Sequence, residues 1–318
     1  MLGLQSTIDL GLQASATNPT TQARTTVNVY SFTGGASEAM PEDNVLGGGL
    51  NNGSDPVLPG PGLDDHRVTA IVPICEAQFP LWMRAFCGAA AASGTGPNYL
   101  YDYSSGAAAL PYCYIEHKLQ TSDYRRHFGC VGESLDIDWM ADAEGFARAS
   151  LAFVGLSEAD PQTAVLAGAV TAAPALVRNA QRSVNITYNA VASVIGGKLS
   201  FKRNLKRHRN ADGTGVPYAV EYNGKSSLEG TFKVRYTGST LNADAVARTA
   251  RQTILELLTN ANRGLRFTLA TMRLGRTPVP IEGPDGVEFE FAWKAWQTSG
   301  NAAMVVRALS AAATAPAP

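Results

Sequence analysis

Ser134-Leu-Asp-Ile-Asp-Trp-Met140 and, far downstream, Val287-Glu-Phe-Glu-Phe-Ala-Trp-Lys-Ala-Trp296 decide how this chain is read. In both, apolar residues (Leu135, Ile137, Trp139; Phe289, Phe291, Trp293) alternate with carboxylates (Asp136, Asp138; Glu288, Glu290). That is the period-two pattern of a strand with one dry and one wet face. The stretches align at an offset of about 154, with Gly132 on Gly286, Leu135-Asp136-Ile137 on Phe289-Glu290-Phe291 and Trp139 on Trp293. Outward from them, each half reads as strand, long Gly-rich loop, strand, helix, strand and a two-strand meander, so the sequence predicts an internally duplicated, mainly β chain.

Residues 1–24 run through Ser, Thr, Asn and Pro and read as an N-terminal arm outside the core. Residues 25–158 form the first domain, 159–182 an Ala- and Pro-containing connector, 183–311 the second domain and 312–318 a C-terminal tail. Strands are predicted in the first half from Thr25, through Val27 and Val29, and then at Arg67–Cys75, Tyr112–Leu119, Ser134–Met140 and Phe146–Gly155. In the second half they fall at Ser183–Tyr188, Lys198–Leu205, Leu228–Tyr236, Leu265–Leu274, Val287–Trp296 and Asn301–Leu309. One helix is expected from Gln78 to Gly88, with Pro80 in its first turn and Leu81, Trp82, Ala85 and Phe86 on one face. A second is expected over Ala243–Asn262, capped by Asn242 and stopped by Gly264. Two loops, Gly34–Asp65 and Asn210–Gly224, exceed the usual connection length.

The 318 residues are 45% hydrophobic and 17% charged, which excludes a disordered chain. Lys and Arg (26) balance Asp and Glu (27), so the strong basic field of a general nucleic-acid binder is absent. With no apolar run long enough to cross a membrane and no basic-then-apolar start, the expectation is a chain made and kept in a cytoplasm, with no membrane partner. Cys75, Cys87, Cys113 and Cys130 contain no CxxC pair and read as reduced, mostly buried thiols.

No GxSxG elbow, HExxH helix, P-loop or GxGxxG turn is present, so neither an enzyme nor a cofactor is expected. Cys113, His117, His127 and Cys130 are metal-ligand types, but C-x3-H-x9-H-x2-C matches no zinc-module spacing. They read as buried thiols beside surface histidines. The pairs Asp136/Asp138 and Glu288/Glu290 are carboxylates that strand alternation alone places on a wet face. Lys202-Arg203-Asn204-Leu205-Lys206-Arg207-His208-Arg209 is the basic patch; lacking interleaved aromatics, it reads as a solvated hairpin end or a contact with acidic neighbours such as Asp64 and Asp65.

The chain as a whole resembles the tail tube proteins of long-tailed bacteriophages, in the large form that carries the tube fold twice. The resemblance rests on the opening Gly11-Leu12-Gln13-Ala14-Ser15 and the Gly-rich loops before Arg67–Cys75 and Leu228–Tyr236. It continues with one helix per half, around Leu81–Phe86 and Ile254–Leu258, and meanders ending at Phe146–Gly155 and Asn301–Leu309. It implies a β-sandwich or barrel-like domain, internally duplicated, with one flanking helix per half. Such domains close into rings that stack into a tube for DNA.

Three duplicated chains would make a pseudo-hexameric ring; a homohexamer is the alternative. Implied partners are further copies of the chain, a tape measure protein, tail terminator and baseplate proteins, and transient non-specific DNA in the lumen. The setting is a virion tail assembled in the host cytoplasm. Asp136, Asp138, Glu288 and Glu290 are the candidate lumen-facing acids. Lys202, Arg203, Lys206, Arg207 and Arg209, with Asp64 and Asp65, are the candidate contacts between rings. Reversing the charge of Arg203, Arg207 and Arg209 together is expected to impair polymerisation while leaving subunits folded. The alternative function is a β-sandwich adhesin or glycan-binding surface module, which would stop at a defined oligomer.

Overall fold

Alternating apolar and polar residues write most of the chain as strand, and a computed structural model bears this out. It describes residues 6–38, 63–107, 109–188, 194–211, 216–235, 240–278 and 288–312. The first half runs β1 (Thr7–Gln13), β2 (Arg24–Val27), β3 (Ser31–Glu38), β4 (Asp64–Pro73), α1 (Phe79–Cys87), β5 (Ala91–Thr95), β6 (Asn98–Ser104), β7 (Tyr112–Gln120), β8 (Asp123–Met140), β9 (Arg148–Val154) and β10 (Ser157–Gln162). After β11 (Val170–Thr171) come β12 (Val184–Thr187), β13 (Val194–Lys202), β14 (Leu205–Arg209), β15 (Pro217–Tyr222), β16 (Ser227–Arg235) and α2 (Thr240–Ala247). The chain then runs through β17 (Ala250–Asn260), β18 (Arg263–Leu274), β19 (Glu288–Trp296) and β20 (Met304–Ser310). The fold is mainly β.

Hydrogen-bonded neighbours in the first half follow the order β3-β4-β9-β8-β7-β1. In the second half they follow β13-β16-β19-β18-β17-β12, the same path. In both halves a further strand lies beside the first part of the long one, β10 on β8 and β20 on β18. Each half also places its helix after the second strand of that path.

The halves share one core. Helix α1 is buried nearly all round, with only Arg84 partly exposed, so the one-faced helix expected from the sequence is instead enclosed. Its Trp82 ring lies 6.0 Å from Phe153 of β9, Phe86 lies 5.9 Å from Phe201 of β13, and Phe79 lies 5.9 Å from Phe267 of β18. Aromatic rings of this size dominate core energetics, and here one helix presents them to both halves.

Several expectations change. The segment read as an arm contains β1, whose Ile8 and Leu10 are buried between β2 and β7; short polar runs around it masked the strand. The second helix ends at Ala247, and Ile254–Leu258 belongs to β17, paired on both sides. Ile254, Leu257 and Leu258 fit a helical face as well as a strand, and cross-strand pairing decided the matter. The residues read as the loop Gly34–Asp65 start inside β3 and finish in β4, while 39–62 lie outside the described residues. The loop from Asn210 contains β15. The hairpin β5–β6 was not foreseen, since Ala91-Ala-Ser-Gly-Thr95 carries no alternation. The connector lies along the first half, through the parallel pair β11–β2.

The repeat register also differs from the offset of about 154. By strand order β19 takes the place of β9, and β18 that of β8. Acid–apolar alternation recurs on any half-exposed strand, which is why β8 and β19 align so readily without being counterparts.

Candidate functional site

Strands β8, β13, β16 and β19 lie side by side and turn their apolar residues inward. Leu135, Ile137, Leu199, Phe201, Phe232, Phe291 and Trp293 are buried on that side. The opposite face carries all four predicted acids, so the structure does bring Asp136, Asp138, Glu288 and Glu290 to one surface. It also brings cations that the sequence reading did not assign there. Asp138 faces Lys198 across the β8–β13 ladder, and Asp136 faces Ser200. Further along, Ser200 faces Glu229, Glu229 faces Lys294, Lys233 faces Glu290 and Arg235 faces Glu288. Lys233 Nζ lies 3.0 Å from Glu288, and Lys294 Nζ lies 3.4 Å from Glu229. The surface is charge-mixed rather than acidic. A groove of about 700 Å³ opens on it, lined in part by Lys198, Lys202, Lys294, Thr231 and the exposed Trp296.

The basic run divides. Lys202 ends β13 with its side chain exposed, and Lys206 is exposed on β14. Arg203 is buried: Nη1 donates to Phe86 O at 2.6 Å and Gly132 O at 3.0 Å, and the guanidinium lies over the Phe86 ring at 4.5 Å. A cation at the C-terminal carbonyls of α1 is favoured by the helix dipole. Its assignment as an inter-ring contact is therefore corrected, because a side chain enclosed by its own chain cannot reach another ring. Arg207 bonds the Asp65 carboxylate and donates to His66 O at 3.0 Å, while Arg209 donates to Asp64 O at 2.7 Å. The predicted pairing of basic run and acidic pair exists, but within one chain, where it clasps the hairpin β14–β15 onto β4. Arg207 and Arg67 hold the Asp65 carboxyl below its usual pKa despite partial desolvation.

The Cys/His set does not converge on one point. Cys113 and Cys130 face each other across β7 and β8 with buried thiols, and burial next to each other pushes the Cys113 thiol well up. His127 is buried rather than on the surface, and its Nδ1 is 2.9 Å from His66 Nε2. Burial pushes His66 down to about 4 and His127 to about 3, with Arg207 beside the first and His66, His117 and Arg125 beside the second. Ligand atoms of His66, His127 and Glu158 lie within 4.8 Å of one another. The two facing ring nitrogens satisfy each other, however, and Arg125 reaches Glu158 at 3.8 Å, so cations border the group. The trio reads as a packed polar core. Deeper in, Glu116 Oε2 accepts from Tyr114 Oη, Arg126 Nε and Leu166 N at 2.8, 3.0 and 3.2 Å, and Glu116 Oε1 lies 3.9 Å from Arg24 Nη2.

What sequence reading missed is the edges. The halves join where Ser134–Met140 of β8 pairs with 196–202 of β13, a seven-residue antiparallel ladder, and where β6 pairs with β20. At Gly230 of β16 a Cβ would lie 1.8 Å from Lys198 O and 2.6 Å from Trp293 Cζ2, so only glycine lets β13, β16 and β19 close up there. At the far end, among the described residues, β3 pairs only with β4. An unpaired strand edge is a template for another chain.

No curated protein matches the chain in sequence. A family model described as phage tail tube protein matches residues 68–295, which span both halves, the joining ladder and α1. The chain belongs to the phage tail tube protein family: it is a structural component of the virion tail that self-assembles, with other tail proteins, into the tube.

Proposed function

We propose that three copies of the chain close head to tail into a ring of six similar units, and that rings stack into a channel through which DNA passes. The observation that carries this reading is the joint inside the chain. Two units with one strand order are fused edge to edge through β8 and β13, which among the described residues leaves β3 open at the other end. A heterologous contact repeated by rotation closes a ring, and two units per chain favour three chains over six.

The wet face of β8, β13, β16 and β19 is the candidate lumen wall. Its carboxylates Asp136, Asp138, Glu288 and Glu290, interleaved with lysines, would give DNA phosphates little net attraction, which suits fast passage. Lys206, exposed on the hairpin β14–β15, is the member of the basic run left for contact with a neighbouring ring. A tape measure protein and terminator or baseplate proteins would meet the tube along its lumen and at its ends. A division into two units that falls after β10, rather than at 159, and assembly in the host cytoplasm belong to the same proposal.

Negative-stain imaging of concentrated protein, with its mass in solution, tests it. Hollow rings or tubes with the mass of three chains per ring are expected. Six chains per ring, or a monomer that does not polymerise even with a tail initiation complex, overturns the reading.

A further inference from the structure

We propose that the joint between neighbouring copies is a shortened replica of the joint inside the chain: the open edge of β3 receives Gly275–Thr277, the residues that follow β18 of a second copy. The proposal rests on the head-to-tail reading and names the surfaces it uses. Register supplies the equivalence. In the second half Met272 faces Ala295 and Leu274 faces Trp293, with Gly275 N donating to Ala292 O at 2.7 Å. In the first half Gly132 faces Phe153 and Leu135 faces Leu151. Leu274 thus stands where Leu135 stands, and Gly275 to Thr277 take the places of Asp136 to Asp138.

On the receiving side, Trp293 faces Gly230 and Gly230 faces Leu199. Correspondingly, Leu151 faces Ala70 and Ala70 faces Phe32. Ser31, Phe32 and Thr33 therefore take the places of Lys198, Leu199 and Ser200. Inside the chain Asp136 faces Ser200 and Asp138 faces Lys198. Between copies Gly275 would face Thr33 and Thr277 would face Ser31.

The replica is incomplete in three respects. Pro278 has no N–H and takes the place of Trp139, so the ladder cannot run on as β8 does. The charged pair Asp138–Lys198 becomes the neutral pair Thr277–Ser31. The first half also carries the hairpin β5–β6 between α1 and β7, and β6 adds a six-residue ladder to β20. The second half has only Arg248-Thr249 between α2 and β17, so nothing there can reach β10, which takes the place of β20 and pairs only with β8 among the described residues. Copies should separate at this joint while the two units within each chain stay together.

A cysteine pair reads the joint directly. Residues facing each other across strands have Cβ atoms about 4.5–5.5 Å apart, close enough for a disulfide after slight adjustment. The four natural cysteines are buried and do not compete. Assembled Ser31→Cys/Thr277→Cys protein, oxidised and run unreduced, should give a ladder of one, two and three linked chains, mostly the third and reversible by thiol. The pair Asp138→Cys/Lys198→Cys, at the same register inside the chain, should close without changing the mass. Rings that form without intermolecular links, while the internal pair closes, overturn the inference and leave the ring reading intact. A ladder ending at another number supports the joint and overturns the three-chain ring. Protein giving neither rings nor links overturns both.

Discussion

Arg203 carries a full positive charge into the core with carbonyl oxygens rather than a carboxylate as its hydrogen-bond acceptors among the described residues. It ties the C-terminus of α1 to β8, and the Cys87 thiol beside it is pushed up to about 11 by burial that outweighs the guanidinium. Arg203→Ala should lower stability by about 3 kcal/mol in urea unfolding, the scale of lost hydrogen bonds to a charged group. Charge reversal there should prevent folding rather than block polymerisation selectively. The His66–His127 pair makes a pH prediction. Both imidazoles have folded pKa values far below 6.5, so the unfolded chain takes up protons first as pH falls. Their contribution is fully present above about pH 7 and is lost as pH drops from about 6.5 through about 4 for His66 and about 3 for His127. Urea midpoints across that window should fall steeply, and less steeply in His127→Gln.

At the scale of elements, the ladder β13–β16 depends on the bare Cα of Gly230, because the atom nearest an added Cβ is the backbone oxygen of Lys198. Gly230→Ala should cost roughly 2–3 kcal/mol, the range for overpacking a tight core, and should speed amide exchange first in β13 and β16. The hairpin β14–β15 is held differently, by Arg207 and Arg209 reaching β4 and by Val220 packed in a small cluster with Val131, Val154 and Leu156. Arg207→Ala should loosen this hairpin by about 1 kcal/mol, since Asp65 is half exposed. Faster proteolysis within 205–222, with the sheet still protected, would register it.

At the scale of the whole molecule, the two halves share α1, two ladders and one aromatic core, so they should unfold as one cooperative unit. Coincident transitions by tryptophan fluorescence and far-ultraviolet dichroism would show this. Removing β5–β6 should uncover the outer edge of β20 and separate the transitions of the halves. Assembly draws on the same geometry: a chain that pairs its own units by strand edges presents one more edge of the same kind.

The mainly β class, the helix at Phe79–Cys87 and the alternation of β8 and β19 were legible in the sequence because they depend on local periodicity, and the family resemblance because it depends on overall layout. Carboxylates on a wet face follow from period two alone, so Asp136, Asp138, Glu288 and Glu290 were placed on one correctly. Their lysine neighbours were not, because cross-strand register depends on residues distant in sequence. The same reason hid β1 and the end of α2, where a short or ambiguous segment takes its state from the strands beside it. It also turned Arg203 from a surface charge into a core one, since burial is decided by what folds over a residue. Composition and periodicity determined the mainly β class, and overall layout the family resemblance; tertiary pairing alone decided which charges meet, which strands correspond and which edge is left open, because those are properties of chain segments brought together from far apart.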